Sequence, residues 1–203
     1  MSTWVGTIIE TAGLADFWDI ARKHGVEGAT AEIPKYVLVE CDVAGDFHAS
    51  VRLAEAMSRD LGATAIGFVV QTTADVHELH AFSKGAAIRR LAYSRDNDGW
   101  VQVEGTPQPW ERAYFFDDAA STVPDDAGRW PDMLWDDISD EDVARYEAAR
   151  RAGDASSVMD LMHPSSTVPM HRVCASFGVQ PDRPLGRSTK KRSFLSRLFA
   201  RGG

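Results

Sequence analysis

The segment Thr64-Ala65-Ile66-Gly67-Phe68-Val69-Val70-Gln71-Thr72-Thr73 decides the fold. It is apolar enough to lie centrally in a sheet, and three further β segments follow it. Val76 to Phe82 runs into Ser83-Lys84-Gly85, a short turn with a glycine where positive φ is needed. Ala87 to Tyr93 then leads to Arg95-Asp96-Asn97-Asp98-Gly99, a second turn cluster, and Trp100 to Glu104 closes a meander. Upstream, Trp4 to Glu10 is rich in β-branched residues and predicts a first strand. Phe17, Ile20 and Ala21 recur at helical spacing between Leu14 and His24, with Gly25 as the C-terminal stop. Tyr36 to Val43 alternates strictly, with Val37, Val39, Cys41 and Val43 on one face. Asp46 suits the N-cap of a helix over Phe47 to Leu61, whose Val51, Ala54, Met57 and Leu61 form an apolar stripe ended by Gly62. The order β-α-β-α-β-β-β-β predicts an α+β fold, a predominantly antiparallel sheet with helices on one face.

Beyond Phe116 the composition changes. Residues 117–142 hold ten acids against one Arg129, yet also contain Trp130, Met133, Leu134, Trp135 and Ile138, which a solvated linker does not need. Ser139, followed by acids that suit a helix dipole, predicts a helix to about Arg151, with shorter helices at 156–162 and 171–177. The predicted organisation is a core at 1–116, an acidic and partly helical extension packed on it at 117–182, and a basic, flexible tail at 183–203.

The 203 residues are 44% hydrophobic and 26% charged, ordinary globular usage. Cys41 and Cys174 are the only cysteines and form no CxxC pattern, which fits a reducing compartment rather than a disulfide framework. Met1-Ser2-Thr3-Trp4-Val5-Gly6 has no basic region before an apolar run, and no stretch reaches the length of a membrane span, so a cytoplasmic protein is expected. Seven of the 22 Lys and Arg lie beyond Asp182, where there is no acid; residues 1–182 thus carry 15 basic groups against all 30 acidic ones. Such a body repels a nucleic-acid backbone, and a basic protein suits it better as a partner.

No phosphate-binding loop, dinucleotide fingerprint, nucleophile elbow or HExxH zinc motif is present, and no cofactor is expected. Asp75, His77 and His80 are the nearest approach to a metal set, but on a strand the two histidines project from opposite faces. Cys41 with His48 could form a thiol–base pair, although Cys41 shares the apolar face of its strand. These residues make a small hydrolase or metalloenzyme the alternative reading.

Trp100, Trp110, Trp130 and Trp135 crowd into 36 residues. Aromatics beside acids suit a protein-binding surface, and Trp110, Trp130, Trp135, Asp136 and Asp137 are the candidates for it. For Trp110 a cap on the core is the reading placed first, since large aromatics are mostly buried.

Ser83 to Tyr93, Gly99-Trp100 and Glu104-Gly105-Thr106-Pro107-Gln108-Pro109-Trp110-Glu111 resemble a meander of small uncharacterised bacterial α+β proteins. The resemblance spans residues 83–111 and implies a bacterial origin and an α+β scaffold, with no activity to carry over. In the tail, Phe194, Leu195, Leu198 and Phe199 form an apolar helical stripe flanked by Lys190, Lys191 and Arg192. That stripe suits weak contact with an anionic membrane surface, a partner's groove or the chain's own acidic arm. The sequence therefore points first to a non-catalytic protein-binding module, such as a bacterial immunity protein or a regulatory adaptor, and then to the enzyme or a peripheral membrane protein as alternatives.

Overall fold

The computed structural model describes residues 3–41, 46–122, 129–135 and 137–181. The tail residues Lys190, Lys191, Arg192, Phe194, Leu195, Leu198 and Phe199, together with Asp136, lie outside the described residues. The strands are β1 (Thr3–Glu10), β2 (Ala31–Glu32), β3 (Tyr36–Glu40), β4 (Thr64–Gln71), β5 (Val76–Ser83), β6 (Ala86–Ser94) and β7 (Gly99–Gly105). The helices are α1 (Leu14–Lys23), α2 (Ala49–Leu61), α3 (Glu111–Phe115), α4 (Asp140–Ala152) and α5 (Val168–Ser176). The seven strands form one sheet in the order β2-β3-β1-β4-β5-β6-β7, and neighbouring strands run antiparallel throughout. This is the α+β architecture expected from the meander and the early helices. Because β3 and β4 both run against β1, they are parallel to each other, and α2 is the crossover between them. No helix among the described residues is long and apolar enough to cross a membrane.

Every residue from Ala65 to Val70 is buried. Ala65 packs with Ile9, Val37, Val39 and Phe82 beneath Phe17 and Ala21 of α1 and Ala54 and Met57 of α2. Ile66, Phe68 and Val70 point the other way, joining Ile8, Leu38, Leu79 and Leu91 beneath Tyr114, Phe115, Tyr146 and Val173. Helices thus lie on both faces and not on one as the element order suggested, with α1 and α2 on one and the C-terminal α3, α4 and α5 on the other. Returning Ile66, Phe68, Val70, Leu79 and Leu91 to water would cost roughly 1.5–3 kcal/mol each. Their sum rivals the entire net stability of an ordinary domain, about 5–15 kcal/mol. The C-terminal layer is therefore an integral half of the core.

Several elements depart from the sequence expectation. The two-residue strand β2 has no counterpart in the expected order, and α2 starts at Ala49 with His48, not Asp46, at its N-cap. Trp110 starts a turn of helix, α3, directly after the prolines at 107 and 109 that suggested only extended backbone. The helix expected at 156–162 is a single 3-10 turn at Met159–Leu161. α5 begins earlier than expected, at Val168, with Pro169 in its first turn, where a missing N–H costs nothing. Ser139 does cap α4 as predicted, its hydroxyl accepting from the Asp142 N–H at 3.1 Å.

Two close contacts set the layer positions. A Cβ on Gly67 would lie 2.6 Å from the Ser50 carbonyl oxygen and 2.7 Å from the Val51 Cα, so only glycine lets α2 approach β4. At the same place Thr7 donates to the Ser50 carbonyl and the Ser50 hydroxyl donates to the Phe68 carbonyl, both at 3.0 Å. On the other face Arg172 of α5 donates to the carbonyls of Ala113 (2.8 Å) and Tyr114 (2.7 Å) and to Asp132 (2.6 Å). It satisfies the end of α3 and ties the acidic arm to it.

Gly67→Ala should destabilise the chain by about 1–3 kcal/mol by forcing α2 outward. Gly28→Ala, where an added Cβ meets nothing within 4 Å, should leave the urea midpoint nearly unmoved. Arg172→Met should cost about 3–5 kcal/mol in the same measurement, because it leaves half-buried Asp132 without its cation and the carbonyls at the end of α3 without their donor, while Asp117 keeps Arg129.

Candidate functional site

The structure disperses the residues that could have formed a metal or thiol centre. His77 is fully buried beneath the C-terminal layer, its Nδ1 2.9 Å from the Tyr114 hydroxyl and its Nε2 without a partner. His80 lies three residues on, with its Cα partners Gly67 and Arg90, on the face of α2. On that face His48 sits 3.4 Å from Glu78. Asp75 is in the β4–β5 turn, paired to Arg95 at 3.1 Å. No group of three His, Cys, Asp or Glu side chains that could hold a metal occurs among the described residues. Burial pushes the Cys41 thiol up, and the Cys174 thiol up to about 12, the reverse of what a nucleophilic thiolate needs.

Of the predicted surface aromatics, Trp110 is only 6% exposed and belongs to the core, so it is not part of an exposed surface. The reason is α3, which turns its N-terminal end onto the sheet. Trp130 is half-buried, and its indole N–H donates to the carbonyls of Leu134 (3.3 Å) and Trp135 (3.1 Å). Trp135 is 40% exposed, and Asp137 is exposed.

Around Trp135 the structure assembles a seam between β6, β7 and the C-terminal layer. The β6–β7 ladder shifts register at Ala92/Tyr93, and a 3-10 turn at Arg95–Asn97 precedes Asp98, which sits at φ 59. That irregular turn places Trp100 against Tyr93, with ring centroids 5.4 Å apart at 66°. The Trp100 indole N–H donates to the Met162 carbonyl at 3.0 Å, and the Tyr93 hydroxyl lies 3.2 Å from His163 Nδ1. His163 in turn packs against Trp135 at 5.3 Å, and its backbone N–H donates to Met133 at 2.8 Å. The Arg95 guanidinium lies over the Trp135 ring, 5.6 Å from its centroid. Burial and the nearby Arg95 hold the His163 imidazole below its ordinary pKa, so it is neutral at pH 7.

Beside the seam is a recess of about 230 Å³ lined by Tyr93, Asp98, Gly99, Trp100, Met159, Asp160, Met162 and His163. A second recess of about 220 Å³ lies across Met159, with Arg89, Glu111 and Phe115 in its wall. There Arg89 and Glu111 are almost fully buried and bonded through two contacts, at 2.9 and 2.8 Å. Arg89 also donates to the Glu104 and Gly105 carbonyls, and Glu111 accepts the Gln108 N–H at 2.6 Å. With its polar groups satisfied by the chain itself, this pair joins β6 to α3 and has a structural role.

No protein-family model, curated protein or solved structure matches this chain. Sequence reasoning picked out Trp135 and its neighbours but missed His163 and Tyr93, which are 70 residues apart and meet only through the fold. The density of tryptophans was the usable signal.

Burial pushes His77 down to about 3 from an ordinary 6.5. Above pH 6.5 neither the folded nor the unfolded chain protonates it, so its burial costs no proton. As pH falls from 6.5 toward 3 only the unfolded chain gains the proton, and stability is lost at up to about 1.4 kcal/mol per pH unit. His77→Gln, which keeps a partner for Tyr114, should flatten the stability–pH curve between 6.5 and 4. A curve parallel to the wild type would rule this out.

Proposed function

We propose that this chain is a non-catalytic protein-binding module that contacts a basic partner through the seam at Trp135. The observation that carries the reading is an exposed tryptophan held rigid. Trp135 is one of four large exposed hydrophobic side chains among the described residues, with Phe47, Val101 and Val103. Its ring packs against His163, the Arg95 guanidinium lies over it, and the Trp130 indole N–H donates to its backbone carbonyl. A pre-positioned ring loses little entropy on contact, which is why tryptophan dominates binding hot spots. The acidic balance of residues 1–182 supports a basic partner, whose approach the field would accelerate. An immunity protein that neutralises a basic toxin domain, or a regulatory adaptor, works in this way. The dispersal of Asp75, His77, His80 and Cys41 weighs against the enzyme reading.

Affinity capture from the host at low and high salt, with wild type and Trp135→Ala as paired baits, tests the reading. A partner retained by the wild type, weakened about 30-fold by Trp135→Ala and released by salt is the expected result. Because Trp135 is exposed, the variant should melt close to the wild type. A wild-type bait that retains no partner in either condition sinks the reading.

A further inference from the structure

We propose that the recess between β7 and the Met159–His163 segment receives a single lysine or arginine side chain of the protein partner. This rests on the protein-binding reading above and specifies what the seam recognises.

Three features of the recess select a cation. Its lining has no Lys or Arg but does have the rings of Tyr93, Trp100 and His163 and the carboxylates of Asp98 and Asp160. The Trp100 indole N–H is already used by the Met162 carbonyl, and the Tyr93 hydroxyl is engaged with His163. Trp100 is half-buried against Tyr93 and Phe115, and the part of its ring that lines the recess has no further polar group to offer, only aromatic surface, whose face attracts cations rather than anions. Asp160 is paired to Arg145 at 3.0 Å, whereas Asp98 has no ionic partner among the described residues. The Asp98 backbone is held where it is, because its left-handed conformation closes the turn with its N–H on the Arg95 carbonyl at 3.1 Å.

The remaining lining suits the stem of such a side chain. Met159 and Met162 supply soft apolar surface for a methylene chain, and the recess volume of about 230 Å³ accommodates one. The adjoining surface already shows the same recognition within the chain, where Arg95 is held over Trp135 with Asp75 as its counter-ion. The recess repeats that combination of ring and carboxylate with its cation position open to a partner.

The test is a titration of the full-length chain with N-acetyl-arginine amide and N-acetyl-lysine amide, following the Trp100 indole N–H signal by NMR. N-acetyl-citrulline amide, isosteric with the arginine probe but uncharged, is the control. The expected result is a saturable shift of the Trp100 signal with the cations at millimolar concentration and none with citrulline. Asp98→Asn, which tolerates the left-handed backbone, should weaken binding about three- to fivefold. Asp96→Asn in the same turn should leave it unchanged. Citrulline binding as well as arginine, or Asp98→Asn without effect, overturns the proposal. So does a shift of the Trp100 signal on joint Lys190→Glu, Lys191→Glu and Arg192→Glu substitution with no probe added, which would assign the recess to the chain's own tail. A failed titration with partner capture still lost in Trp135→Ala removes the recess and leaves the binding module standing. Cation binding with no partner captured removes the partner protein as the source of the cation.

Discussion

Strand β4 is buried on both faces, and the rest of the chain is arranged to satisfy that constraint. Ala65 points toward α1 and α2, while Ile66, Phe68 and Val70 point away from them. A single helical layer would have left the second face wet. The layer from α3 onward therefore cannot be an appendage, for all the acidity of its later part. It contributes Tyr114, Phe115, Tyr146 and Val173 to the core, and it buries Glu111 and Asp117 as well.

Packing so acidic a segment onto an apolar face needs cations inside it. Arg172 joins the carbonyl end of α3 to Asp132, Arg129 pairs with Asp117, and Arg145 bridges Asp142 and Asp160. Arg89 with Glu111 does the same between the sheet and α3. The Arg89–Glu111 pair is buried and the Arg172–Asp132 pair largely so, and such a pair gains little over an apolar one but is costly to break, whereas the exposed Arg145 pairs contribute little. Acids left over, such as Asp98, Asp137 and Glu141, face outward and carry the negative field of the body.

The second layer meets the sheet at β7, an edge strand with exposed Val101 and Val103. Here the ladder shifts register and the turn before β7 is irregular, so side chains are aimed by local backbone rather than by the pleat. The aromatic seam is a product of that junction. His77 has a different role. It bonds to Tyr114 between sheet and helices, and burial keeps it neutral. Histidine here is a polar core residue, and among the described residues no metal-holding group forms around it.

The sequence by itself determined six of the seven strands, the α1 and α2 helices apart from the α2 cap, the Ser139 cap and the separation of His77 from His80. Each follows from local periodicity or turn chemistry that a few consecutive residues carry. It also marked Trp135, because tryptophans among acids stand out in composition alone. It favoured burial for Trp110 on residue type alone but missed the helical turn that buries it, which follows prolines that locally favour extended chain. Nor could it find the pairing of Tyr93 with His163, or the glycine at 67 that admits Ser50 and Val51. Those were decided only in the tertiary structure, because they are contacts between residues 16 to 70 positions apart, created when two helical layers close on the opposite faces of one sheet.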